Sequence, residues 1–93
     1  MAWSLPVPNQ LKQHWKVKIR DKERLEPPHI TVLRGTDVWR INLRTGQFEV
    51  PPGGVWSDLP DGLTSTIRDK WVLLCEQWDN MYPHNPVGET VRP

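Results

Sequence analysis

A chain of 93 residues with a net charge of +1 is one small folding unit, too short for a second domain. Leu, Ile, Val and Phe supply 23 residues, enough for a core and against intrinsic disorder. No apolar run approaches the ~20 residues of a membrane span, no secretory leader is legible, and a single cysteine points to a reducing, cytoplasmic setting.

Residues 1–13 read as an extended N-terminal lead-in, broken by Pro6 and Pro8. A single domain then spans 14–82. His14 to Arg20 alternates cleanly: Trp15, Val17 and Ile19 point one way, and His14, Lys16, Lys18 and Arg20 the other. Pro27-Pro28 forces extended backbone and opens a second strand, His29 to Arg34. Gly35-Thr36-Asp37 supplies turn chemistry, and Val38 to Arg44 alternates again with Trp39, Ile41 and Leu43 inward. Thr45-Gly46 permits another reversal into a short strand, Gln47 to Val50. Pro51-Pro52-Gly53-Gly54 ends the sheet, and a loop runs on to Gly62.

The apolar face of this sheet needs a cover. Thr66 reads as a helix N-cap, and Ile67, Trp71, Leu74, Trp78 and Met81 follow as one helical stripe that Tyr82-Pro83 stops. Residues 83–93 show no period and read as a flexible tail. The expected fold is α+β: a small antiparallel meander of three to four strands, covered on one face by a C-terminal helix.

Charge is distributed unevenly over that plan. Residues 1–50 carry nine Lys/Arg against five acids, and residues 51–93 carry three against six. The outward strand positions collect His14, Lys16, Lys18, Arg20, Arg40 and Arg44, with Thr31 and Asn42 between them. Such a face can neutralise phosphates, although solubility alone also places cations outward. It lacks exposed aromatics for base stacking, because Trp15 and Trp39 fall on the apolar side. Trp56 lies outside any periodic element and is either a clamp onto the domain or an aromatic anchor for a partner.

His29, fixed by the two prolines, could act as a general acid or base on RNA, with Arg34, Lys16 or Arg40 stabilising phosphate charge. A lone histidine without a positioned partner more often makes a structural hydrogen bond to a neighbouring loop. His14, His29 and His84 match no zinc spacing, so neither a metal nor any other cofactor is expected. Cys75, beside Leu74, reads as a small apolar residue rather than a nucleophile.

Pro27-Pro28-His29 before a strand, Ile41-Asn42-Leu43-Arg44-Thr45-Gly46-Gln47-Phe48, and Trp78-Asp79-Asn80 with Pro86-Val87 beyond resemble a family of small bacterial domains of unknown function. That family carries a Pro-Pro-His-Phe-His run between two strands. The resemblance implies a toxin–antitoxin-like context, with a small partner protein encoded nearby. Ile30-Thr31 stands where the family has Phe-His, so a histidine pair is missing and a binding role is favoured over catalysis.

The expectation is therefore a cytoplasmic binding module, toxin-like or regulatory, using its basic face on RNA or on an acidic protein partner. The alternatives are a weak ribonuclease centred on His29, and an interaction protein or homodimer associating through sheet edges or Trp56. No membrane contact is expected.

Overall fold

In a computed structural model, residues 2–93 are described and form one five-stranded antiparallel sheet with two helices. The strands are β1 (Trp3–Leu5), β2 (Trp15–Ile19), β3 (His29–Arg34), β4 (Asp37–Asn42) and β5 (Phe48–Val50), and they lie side by side in chain order. The helices are α1 (Asp61–Asp69) and α2 (Trp71–Met81), and Trp56–Asp58 forms a 3₁₀ turn before them. No helix among the described residues is long and apolar enough to cross a membrane.

The α+β class and the meander agree with the sequence, but the sheet has five strands rather than three or four. The added strand is β1, inside the expected lead-in, where Trp3, Ser4 and Leu5 pair with Ile19, Lys18 and Val17. Three residues ahead of a proline are too few to show a period, and β2 supplies the missing template.

Cross-strand register sorts the side chains. Val17 faces Val32 and Val32 faces Trp39, while Ile30 faces Ile41, so these residues share one side of the sheet. Lys16 opposite Leu33, Lys18 opposite Thr31, and Thr31 opposite Arg40 share the other. The β3–β4 hairpin turns over Gly35 and Thr36, and Gly35 takes φ +58° at the first turn position. After β4, the Asn42 side-chain oxygen accepts the N–H groups of Arg44 (2.7 Å) and Thr45 (3.0 Å). This Asx turn, with Gly46 at φ +72°, sends the chain back into β5.

The expected helix from Thr66 to Met81 is two helices, interrupted at Lys70 and starting five residues earlier. Thr66 is no cap: its hydroxyl donates to the Gly62 carbonyl within α1 at 2.8 Å. Pro60 occupies the N-cap position and Asp61 places a carboxylate in the first turn, where the helix dipole favours it. Leu63 extends the apolar stripe back by one turn, so Leu63, Ile67, Trp71, Leu74 and Trp78 are all fully buried. They belong to the same buried cluster as Val17, Ile19, Ile30, Val32 and Ile41 from the sheet.

Trp39 is only half-buried and packs on Trp15, with ring centroids 5.4 Å apart. Trp56 rests edge-on against Phe48 and donates its indole N–H to the Gly46 carbonyl at 3.1 Å, so it clamps the 51–60 loop onto β5.

The segment 83–93, read above as a flexible tail, is bonded to the domain along its length. Trp78 donates to the Asn85 carbonyl (2.7 Å), the Val87 N–H donates to Asp79 (2.8 Å), and the Val91 N–H donates to the Arg44 carbonyl (2.9 Å). The Arg44 guanidinium holds the carbonyls of Val87 and Pro86, each at 2.9 Å. Replacing Arg44 with Ala should cost about 1–2 kcal/mol, the range for partly solvated bonds from a charged donor. Amide exchange at Val87 and Val91 should accelerate in that variant, whereas exchange in β2 and β3 should follow only the global loss.

Candidate functional site

Two groups of polar side chains stand out, a solvent-facing lysine cleft and a buried ionic cluster. The cleft lies along β1 and β2, at the edge of the sheet. Hydrogen bonds from the Leu11 and Lys12 amides to the Pro8 carbonyl (2.9 and 3.1 Å) fold residues 8–12 into a turn beside β2. That turn brings Lys12 to a depression of about 460 Å³ already lined by Lys16 and Lys18, with Ser4 and Asn9 contributing polar groups. No carboxylate among the described residues lines it. Lys16 and Lys18, two residues apart on one strand, are ~7 Å apart.

The other predicted cations divide differently. Arg40 does not present a free charge to solvent: it donates to Glu26 at 2.8 Å and lies 3.7 Å from Glu23. Arg44 sits beyond the end of β4 and is committed to the C-terminal segment. Arg34 lies opposite Trp15 in the register, on the other side of the sheet from Lys16 and Lys18, and its guanidinium stacks over the Trp15 ring at 5.4 Å. Arg20 follows β2 half-buried, and its carbonyl accepts the Tyr82 hydroxyl. His14 is exposed immediately before β2. The broad basic face thus contracts to a lysine patch at the β1–β2 edge. Lys12 is the member that sequence reasoning missed, since its turn has no period.

His29 lies in the second group. Only 1% of its surface is exposed, and Trp78 packs against its ring at 5.5 Å. Nδ1 is 2.8 Å from the Pro27 carbonyl, and Nε2 is 3.2 Å from Oε2 of Glu23. Each ring nitrogen therefore lies beside an oxygen, and neither faces an open cleft. The loop between β2 and β3 builds this arrangement by folding Glu23 inward until 5% is exposed, with its backbone N–H donating to the Tyr82 hydroxyl at 3.2 Å. Glu26 closes the group through Arg40. Among the described residues, the buried side-chain atoms without a hydrogen-bond partner are Oε1 of Glu23 and the hydroxyl of Thr31.

Cys75 is half-buried, and that burial pushes its thiol above the usual range, against the thiolate a nucleophile needs. Burial also raises the Tyr82 phenol, which keeps it a hydrogen-bond donor to the Arg20 carbonyl. No protein-family model, no curated protein and no solved structure matches the chain.

Proposed function

We infer that this chain is a small binding module that takes the sugar-phosphate backbone of single-stranded RNA in the cleft formed by Lys12, Lys16 and Lys18. One observation carries the reading: three lysines line a single depression with no carboxylate among the described residues there. Concentrating like charge in this way costs self-repulsion, which a polyanion relieves while releasing its condensed counterions. Lysine ammonium groups act as point charges on phosphate without reading base identity. Trp15 is 7% exposed and offers no face for stacking, so binding should be indifferent to base sequence.

The same charge pattern would attract an acidic protein, and the test separates the two. A variant with Lys12→Glu, Lys16→Glu and Lys18→Glu should fold, because Lys12 and Lys16 are exposed, Lys18 is partly so, and charges in contact with water contribute little to stability. Its affinity for a single-stranded RNA oligonucleotide should fall at least about tenfold. Unchanged affinity would remove the cleft from RNA binding. Wild-type protein that ignores RNA but is held by a polyglutamate column would replace RNA with an acidic protein.

A further inference from the structure

Glu23, Glu26 and His29 follow one another at intervals of three residues in a loop that no regular period describes. The fold gathers them so that one ligand-type atom from each lies within 4.8 Å of the others. The geometry points to a divalent transition-metal site at this cluster, taking zinc through Nε2 of His29 and the carboxylates of Glu23 and Glu26.

The first argument is the orientation of the histidine. Its Nδ1 lies 2.8 Å from the Pro27 carbonyl and donates to it, which in the neutral ring leaves the lone pair on Nε2. Metal-binding histidines are characteristically oriented by such a bond from the second nitrogen to a carbonyl. The Nε2 lone pair then confronts Oε2 of Glu23 at 3.2 Å, acceptor against acceptor, so something positive belongs between them. Two ligands bound to one tetrahedral zinc at ~2.0–2.1 Å are ~3.3 Å apart, close to that separation.

Glu23 supplies the second, independent argument. It is 5% exposed, yet its Oε1 has no hydrogen-bond partner. A buried carboxylate oxygen left in that condition is costly, and a bound cation would relieve it. Arg40 takes one oxygen of Glu26 at 2.8 Å and lies 3.7 Å from Glu23, so it offsets part of the negative charge. The second oxygen of Glu26 remains for the ion, and the half-exposed Glu26 side chain gives it a route from solvent. One histidine with two carboxylates suits zinc and its first-row neighbours better than magnesium or calcium, which favour all-oxygen sites.

The rival occupant is a proton shared between His29 and Glu23, and metal titration distinguishes the two. Full-length protein freed of metal with a chelator should be titrated with Zn²⁺ while thermal unfolding is followed, and with Co²⁺ while visible absorption is followed. Zinc should raise the melting temperature and saturate at one ion per chain, and Co²⁺ should give the d–d bands of a low-symmetry protein site. Glu26→Gln, at a half-exposed position that should fold normally, should weaken binding about tenfold or more, since even outer partners of such ligands are worth that much. A double variant with His14→Asn and His84→Asn should bind as wild type does. Absence of a saturable zinc effect, its loss with His14 and His84, or unaltered affinity in Glu26→Gln would each overturn the assignment.

Discussion

Replacing Trp78 or Trp71 with Ala should remove most of the stability of this domain. Both indoles are fully buried in the cluster shared by sheet and helices. Each also donates a hydrogen bond to the C-terminal segment, Trp78 to the Asn85 carbonyl at 2.7 Å and Trp71 to the Thr90 hydroxyl at 2.8 Å. Trp78 adds ring contacts with Tyr82 at 4.3 Å and His29 at 5.5 Å, so it joins the helix, the tail and the buried ionic group. Large-to-small changes of this kind cost about 3–5 kcal/mol, against total stabilities of about 5–15 kcal/mol for small domains. Urea unfolding monitored by circular dichroism should show the loss as a lower midpoint. Trp39→Ala should lose clearly less, because Trp39 is half-buried and leans on Trp15 alone among the other indoles. Equal losses at positions 39 and 78 would contradict this assignment of the core.

The second large effect concerns Glu23. Metal-free Glu23→Ala should destabilise the protein by about 1–3 kcal/mol, the range for leaving buried polar groups without their partner. His29, at 1% exposure, would lose the carboxylate 3.2 Å from its Nε2, and Arg40 would lose the more buried of its two acidic neighbours. Arg40→Met should cost less, because 31% of that side chain is solvent-accessible and water can replace its contacts. A Glu23→Ala protein that unfolds at the wild-type urea midpoint would show that the cluster contributes nothing to folding.

Regular alternation made β2 and β4 legible, because a half-buried strand repeats every two residues and a one-residue slip would reverse its faces. The helical stripe from Ile67 to Trp78 was legible for the same kind of reason. Its first turn was not, since Gly62 and the run Thr64-Ser65-Thr66 have weak helix propensity, and Leu63 alone marks the buried face. β1 was hidden by its length, and its order comes from pairing with β2.

The candidate sites follow the same division. Lys16 and Lys18 were placed correctly relative to Trp15 and Val17 by alternation, whereas Lys12 reaches them through a turn held by Pro8. Arg40 and Arg44 were read as open cations because periodicity gives a direction but no partners. Their partners come from the 20–28 loop and the C-terminal segment, both without period. The one available signal for the buried cluster was the three-residue spacing of Glu23, Glu26 and His29 next to Pro27-Pro28. Those prolines restrict the backbone between Glu26 and His29.

The lysine cleft is tested most directly by the salt dependence of RNA binding. For single strands the slope of log K against log salt is about −0.7 per phosphate neutralised, so three lysines should give about −2. The charge-neutral variant Lys12→Gln, Lys16→Gln, Lys18→Gln should fold normally and bring that slope close to zero. A wild-type slope near zero, or the same slope in wild type and variant, would show that these lysines do not hold a phosphate backbone.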